Sequence, residues 1–144
     1  MLLNYVIDGA EFIARKNIGK WESGGTGLCV EKSSSLSVTG TGTRVVLTEN
    51  ETGDRGGGGG LLIATNSVMT VKLGAHLYIS ENRACSGGGL FLYDNGRLHV
   101  TGTGSQALFA GNTARGTKCG GADPRYMIKA ASLGGGGIGA QGEG

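Results

Sequence analysis

The chain has 144 residues, of which 31 are glycine and one is proline, and its 13 basic and 11 acidic residues give a formal net charge of +2. Glycine at about three times its usual share of roughly 7%, with almost no proline, argues against collagen and against a proline-rich disordered tail. The low, mixed charge, with no basic cluster longer than Arg15-Lys16, predicts that the protein does not bind nucleic acid.

The first eleven residues contain one predicted strand. Apolar residues occupy every second position of LLNYVID, which is the period of a strand. Tyr5 precedes Ala14 by nine residues. Val38 precedes Leu47 by the same nine, so we expect Tyr5 to take the place of Val38 in an incomplete coil that ends with residues 1–11. The segment lacks the basic and long apolar regions of a signal peptide, and no run approaches the roughly 20 apolar residues of a membrane-spanning helix.

A repeat runs from residue 12 to residue 122. Its marker is an asparagine every 30 to 33 residues, at Asn17, Asn50, Asn82 and Asn112. Three of these are followed, after a loop of variable length, by glycines and an apolar triplet, in GGTGLCV (24–30), GGGGLLI (57–63) and GGGLFLY (87–93). A second alternating segment follows each triplet at constant spacing, and a third leads into the next asparagine. The repeat units lie near 12–44, 45–76, 77–106 and 107–122.

The repeat predicts the fold. Three short strands in a period near 30 cannot bury their apolar faces alone and must stack on copies of themselves. Equivalent positions carry like residues, as in the column Leu28, Leu61 and Leu90. We therefore predict an all-β fold, a right-handed parallel β-helix (solenoid) of about three to four coils, each with three strands, with like residues stacked about 4.8 Å apart. A sandwich of antiparallel hairpins is the alternative, and it would give turn signals without such columns.

Two sets of repeat residues have predicted structural roles. Stacked asparagines hydrogen-bond to the layers above and below, and asparagine tolerates the left-handed backbone conformation. We expect Asn17, Asn50, Asn82 and Asn112 to form such hydrogen bonds and to adopt the left-handed conformation. Glycine serves sharp corners where φ is positive or where two backbones approach closely. We assign this corner role to Gly25, Gly59, Gly88 and Gly121.

The pattern breaks after residue 122, in ADPRYMIKAAS. Pro124 removes a donor where a strand would continue, so we expect residues 123–144 to be an irregular glycine-rich segment or an insertion. SLGGGGIGAQGEG fits another glycine corner. Neither end of the chain has an obvious polar cap. We therefore expect a piece of a longer protein, with end-to-end or edge self-association where strand edges are open.

Cysteine and acidic residues are the candidates for chemistry. Cys85 and Cys119 each lie just before a glycine corner in consecutive units. Stacked coils bring such positions within disulfide range, so the alternatives are a bridge between them and two free thiols. Cys29 lies inside an apolar triplet, where we expect a small core residue.

Glu49 and Glu81 are neighbours in the column before each asparagine. Paired carboxylates serve acid–base catalysis or bind Ca²⁺. Lys16, in the same column, is placed to neutralise Glu49, so we interpret these residues as solvated charges. The sequence predicts no catalytic residue, no metal ligand and no cofactor site.

The asparagine and glycine motifs support a family resemblance. FAGN at 109–112 is a complete FxxN, and GGA at 120–122 is a near GGA[ILV] with Asp123 in the aliphatic position. The earlier units carry degenerate forms of both motifs. For FxxN these are ARKN, LTEN and ISEN, and for GGA[ILV] they are GGTGL, GGGGL and GGGL. Residues 12–122 therefore resemble the polymorphic outer membrane protein repeats of chlamydial autotransporters. The resemblance implies an extracellular or cell-surface β-helical passenger involved in adhesion, with no cofactor and no catalytic residues.

We expect a non-enzymatic, surface or secreted, adhesin-like scaffold. Its predicted ligand is a protein or carbohydrate, bound by the exposed strand faces and the loops 18–23, 51–56, 83–86 and 113–119. The alternative is a fragment of a polysaccharide-degrading β-helix enzyme, a lyase or glycosidase. Such an enzyme would need Asp, Arg and Lys clustered on one outer face, whereas the chain offers Asp54-Arg55 in one corner and Asp94 with Arg97 in another.

Overall fold

The structure, a computed structural model, describes residues 4–19, 26–53, 56–115 and 138–140. In these ranges the ordered elements are all strands. They are β1 (Asn4–Asp8), β2 (Glu11–Arg15), β3 (Leu28–Val30), β4 (Ser35–Thr39), β5 (Arg44–Thr48), β6 (Leu61–Ile63), β7 (Val68–Lys72), β8 (His76–Ser80), β9 (Arg83–Ala84), β10 (Leu90–Leu92), β11 (Arg97–Thr101), β12 (Gln106–Ala110), β13 (Thr113–Ala114) and β14 (Ile138–Ala140). Among these residues there is no helix that could cross a membrane.

The strands form four faces, and every pairing is parallel. Face A has the strand order β1-β4-β7-β11, face B β2-β5-β8-β12 and face D β3-β6-β10-β14. Face C is the small sheet β9-β13, extended by single bridges from Ile18 to Glu51 and from Glu51 to Arg83. The chain visits the faces in the order A, B, C, D and returns to A one layer further along, so the strands stack as four layers. We number these layers 1 to 4 from the amino-terminal end.

The predicted columns are confirmed residue by residue. Leu61 pairs with Leu28 on one side and with Leu90 on the other. Met69 lies between Leu36 and Leu98 in the same way. The parallel β-helix is therefore confirmed, and the right-handed winding stays a prediction.

Alternation within the strands places the core inside the stack. In β4, β5, β7 and β8 every second side chain is buried, in the pattern expected for one apolar and one outward face. The core residues that are completely buried include Val38, Val45, Leu47, Leu61, Ile63, Met69, Val71, Leu77 and Ile79. Layers 2 and 3 contribute all of these because they are covered on both sides.

In three places the structure differs in detail from the sequence predictions. Tyr5 pairs with Leu36, and Ile7 takes the place beside Val38, because only two residues separate β1 from β2 whereas four separate β4 from β5. The predicted loops 51–56, 83–86 and 113–119 begin with the pairings of face C. Finally, the predicted irregular segment 123–144 contains β14, which pairs in register with β10 and extends face D to layer 4.

Candidate functional site

Hydrogen bonds join the four repeat asparagines through the solenoid. The side-chain Nδ2 of Asn17 donates to Oδ1 of Asn50, Asn50 donates to Asn82, and Asn82 donates to Asn112, each at 2.9 Å. The same acceptor oxygens also take the backbone N–H of the preceding asparagine, at 2.9–3.1 Å. Asn50 and Asn82 are completely buried. Full hydrogen bonding is what allows two amides to occupy a core.

A further bond ties each buried amide to the strand before it. Nδ2 of Asn82 donates to the carbonyl of Leu47 at 2.8 Å, and Nδ2 of Asn112 donates to that of Ile79 at 2.8 Å. Both donors therefore bond back to the preceding layer, and that of Asn82 also bonds forward to Asn112. The ladder fixes the corner between faces B and C. Its side-chain bonds all run in the same sense, with each donor in one layer and its Oδ1 acceptor in the next.

The left-handed conformation lies one residue before the predicted position. Lys16, Glu49, Glu81 and Gly111 have φ between 55° and 62°, and the asparagines that follow them are not among the positive-φ residues. The corner is made by the preceding residue, which leaves the asparagine backbone free to enter the parallel pairing of face C. A non-glycine residue in this region is uncommon, and three of the four corners have one.

The corner glycines act mainly through close approach. A Cβ on Gly59 would lie 2.6 Å from the carbonyl oxygens of Arg83 and Gly88. A Cβ on Gly88 would collide with the backbone of Thr113. Positive φ occurs instead at Gly58 and at the equivalent residue Gly87. Gly25 and Gly121 lie outside the described residues.

The three cysteines have different environments. Cys85 is buried and disulfide-bonded. Its predicted partner, Cys119, lies outside the described residues, so the pair Cys85–Cys119 stays a prediction. Cys29 is free and exposed, which makes the core prediction wrong, because Leu28 and Val30 take the inward positions of β3. Local burial of the thiol, and then the charge and hydrogen bond of Glu31, raise the pKa of Cys29 to about 11.

Glu49, in the acidic column, is neutralised on the surface. Arg15 binds the Glu49 carboxylate at 2.7 Å, and Lys16 lies 3.6 Å from it. The hydrogen bond from Arg15, together with the positive charges of Arg15 and Lys16, lowers the pKa of Glu49. A carboxylate held in this way stays charged and is a poor proton donor. The described ranges contain no group of three or more His, Cys, Asp or Glu side chains placed to hold a metal ion.

A polar groove of about 670 Å³ runs across the corner between faces A and B. It crosses all four layers, because each layer contributes the turn that joins its face A strand to its face B strand. The lining residues are Gly9, Ala10, Glu11, Thr41, Gly42, Thr43, Arg44, Gly74, His76, Tyr78, Thr103 and Gly104.

The aromatic centre of the groove is the pair His76 and Tyr78 on β8. Their rings meet edge to face with centroids 5.8 Å apart, and Nδ1 of His76 lies 2.8 Å from the Tyr78 hydroxyl. Nε2 of His76 lies 3.1 Å from the carbonyl of Gly104. Because a carbonyl only accepts, a neutral His76 donates from Nε2, so its Nδ1 accepts the Tyr78 proton. The lone pairs of the Tyr78 oxygen are then free to accept from a ligand.

Hydroxyl groups and one ion pair complete the groove. Thr43 is buried, donating to the carbonyl of Thr39 at 2.6 Å and accepting from the backbone of Gly9 at 2.7 Å, so it holds two layers together. Thr41 and Thr103 are exposed at the rim. Arg44 forms an ion pair with Glu11 across the floor. The groove therefore offers hydroxyl, guanidinium, carboxylate and aromatic groups on a rigid frame.

The sequence predictions did not include this groove. One sequence pattern could have indicated it: the corner sequences TGTGT (39–43) and TGTGS (101–105) are nearly the same and lie two layers apart. A second signal is the outward column of face B, which is apolar at Ile13, Val46, Tyr78 and Leu108. The described residues of the predicted binding loops lie elsewhere, at face C and directly after it.

Comparison of the sequence with protein-family models and with curated proteins, and of the structure with solved structures, found no match. The four layers and the groove are therefore the basis for inferring function.

Proposed function

We propose that this protein is a non-enzymatic β-helical scaffold of a surface or secreted protein, and that it binds carbohydrate in the groove between faces A and B. The observation that carries the proposal is the groove itself, in which Tyr78 and His76 lie among the hydroxyls of Thr41 and Thr103. Sugars combine apolar C–H faces with many hydroxyls. A rigid aromatic ring surrounded by donors and acceptors matches that chemistry.

The rigidity of the frame supports a binding role. The groove floor is made of β2, β5 and β8, which pair along their whole length. Thr43 and the Ser105 hydroxyl, which accepts from the backbone of Gly74 at 3.0 Å, fix the turns on either side. A preorganised site loses little conformational entropy when a ligand binds.

A surface or secreted location has two supports. Cys85 is disulfide-bonded, and disulfides persist in oxidising compartments outside the cytosol. The FxxN motif of the resembled passenger repeats has a clear structural use in this chain, because Phe109 joins a core column and Asn112 joins the asparagine ladder.

The test is binding to a panel of immobilised neutral and acidic glycans. We expect specific binding that weakens about tenfold, or about 1.4 kcal/mol, in Tyr78→Ala. The matched control is Tyr93→Ala, because Tyr93 is also a surface tyrosine but follows β10 on face D. Equal loss in both variants, or no binding to any glycan, would overturn the proposal. Cleavage of an acidic polysaccharide during the assay would favour the lyase or glycosidase alternative.

A further inference from the structure

The two ends of the four-layer stack are open among the described residues. In layer 1, each of β1, β2 and β3 pairs with one strand, in layer 2. In layer 4, each of β11, β12 and β14 pairs with one strand, in layer 3. Each end therefore presents three parallel strand edges whose backbone groups point along the solenoid axis. Such edges are templates for further strand pairing.

Both ends also expose apolar core. At layer 1, a cavity of about 570 Å³ is lined mainly by apolar side chains, including Ile7, Phe12 and Leu28. At layer 4, Phe109 packs against the core but is only partly buried, and Val100 is 40% exposed although it belongs to an inward column. In layers 2 and 3 the equivalent positions are completely buried, so the exposure at the ends comes from the missing neighbour.

The side-chain volumes at the two ends are complementary. One inward column of face B contains Phe12, Val45, Leu77 and Ala107, with its largest side chain in layer 1 and its smallest in layer 4. The next runs Ala14, Leu47, Ile79 and Phe109, from small to large. If layer 4 of one molecule were followed by layer 1 of another, Ala107 would face Phe12 and Phe109 would face Ala14. Each large ring would then meet a small side chain, as close packing requires.

The asparagine ladder has matching ends. The Nδ2 groups of Asn17, Asn50 and Asn82 each donate to the Oδ1 of the asparagine in the next layer. Among the described residues, no asparagine lies beyond Asn112 to accept from it, and none precedes Asn17 to donate to its Oδ1. A second molecule placed beyond layer 4 would bring its Asn17 to the position that continues the ladder. The join would therefore satisfy a donor at one end with an acceptor at the other.

The charges at the two ends are compatible in the same register. Following the observed columns, Thr101 would stack on Asp8, Gln106 on Glu11 and Ala110 on Arg15. A charged residue on one end thus meets a neutral residue on the other in these columns, so the repulsion of like charges on adjacent strands does not arise.

From these features we propose that the chain self-assembles head to tail, with layer 4 of one copy stacking on layer 1 of the next. Among the described residues, layer 1 begins with β1 on face A and layer 4 ends with β14 on face D, so layer 1 of a second copy would continue the order A, B, C, D. The occupant of each open end is a second copy of this chain, because volume, ladder and charge all match at the same register. The interface is heterologous and translational, so it extends into linear assemblies instead of closing as a dimer.

The test uses two variants that block one end each. Ala107→Asp places a charge in the layer 4 core edge, and Phe12→Asp does the same at layer 1. By sedimentation velocity, we expect wild-type protein to form assemblies that grow with concentration, and each variant alone to remain monomeric. An equimolar mixture should form a dimer and nothing larger, because only one pair of intact ends remains. Circular dichroism establishes that both variants keep their strands.

The control is Val46→Asp, which changes the outward apolar column of face B in layer 2, away from both ends. Assembly should survive this change. Monomeric wild-type protein at every accessible concentration, or loss of assembly in Val46→Asp alone, would overturn the proposal.

Cross-linking gives a second measurement that does not depend on the folding of a charged variant. Stacked residues in adjacent layers lie about 5 Å apart, within disulfide range. In a Cys29→Ser background, Ala110→Cys mixed with Arg15→Cys should give an oxidised dimer. Ala110→Cys mixed with Glu11→Cys should not, because Glu11 is four residues out of register. Equal yields in the two mixtures would contradict the head-to-tail register.

Discussion

Replacing Asn82 by alanine tests the asparagine ladder where it is most deeply buried. The change removes four hydrogen bonds: two that Oδ1 accepts from the backbone and side chain of Asn50, and two that Nδ2 donates to Leu47 and Asn112. At about 0.5–1.5 kcal/mol each, these bonds are worth about 2–6 kcal/mol, and the backbone N–H of Asn50 is left buried without its acceptor. We expect a loss near 4 kcal/mol, a large part of the roughly 5–15 kcal/mol that stabilises a typical domain.

The assay is urea unfolding followed by circular dichroism at concentrations where the protein is monomeric. Asn17→Ala is the matched control, because it removes the same side chain from the same column but at the exposed end. It loses only the bond from Nδ2 to Asn50, while the backbone N–H of Asn17 keeps its acceptor. We expect a cost of about 1 kcal/mol or less. If Asn82→Ala cost no more than Asn17→Ala, the reasoning about the buried ladder would be refuted.

Three further changes test other parts of the structure. Gly59→Ala should destabilise the protein by at least about 2 kcal/mol in urea unfolding, because its Cβ would lie 2.6 Å from two carbonyl oxygens; a change below about 0.5 kcal/mol would contradict that geometry. Leu73→Asn should stabilise the protein by about 0.5–1 kcal/mol, because Leu73 is 64% exposed and has a φ of 55°; a loss of stability would show that the leucine packs usefully. Alkylation of Cys29 at pH 8 should be about tenfold slower than that of a free cysteine, since a pKa of about 11 lowers the thiolate fraction about 100-fold while greater nucleophilicity recovers about tenfold. The rate should rise with pH toward 11 and increase in Glu31→Gln, and a rate that levels off near pH 9 would contradict the raised pKa.

The core of the fold could be predicted from sequence because each unit obeys one spacing. Leu61 lies between Leu28 and Leu90 in space because the residues between them close one circuit of the solenoid. Strand alternation then fixes which side chains point inward. The asparagine ladder followed from the same period, since equal spacing places like side chains in adjacent layers.

The register of β1, the left-handed corner and the groove were not predicted correctly. They depend on local backbone geometry, which the spacing of the repeat does not determine. A turn shortened by two residues shifted β1 so that Ile7, not Tyr5, lies beside Val38. The left-handed corner is at Glu49, and the carbonyl of the Asn50 that follows it accepts from the backbone of Arg83 in the pairing of face C. The groove was missed because its turns, TGTGT and TGTGS, carry no hydrophobic signal and because the outward column of face B was not connected with them. His76 and Tyr78 lie two residues apart on the outward face of β8, and the register of β8 with its neighbours places them beside the turns of the adjacent layers.

The most direct test of the stacked layers is methyl nuclear Overhauser spectroscopy on the leucines of face D. The structure predicts contacts from Leu61 to Leu28 and from Leu61 to Leu90, which pair with it on either side. It predicts none between Leu28 and Leu90, which lie two layers apart, at roughly 10 Å. A direct contact between Leu28 and Leu90, or the absence of both contacts to Leu61, would contradict the layered solenoid.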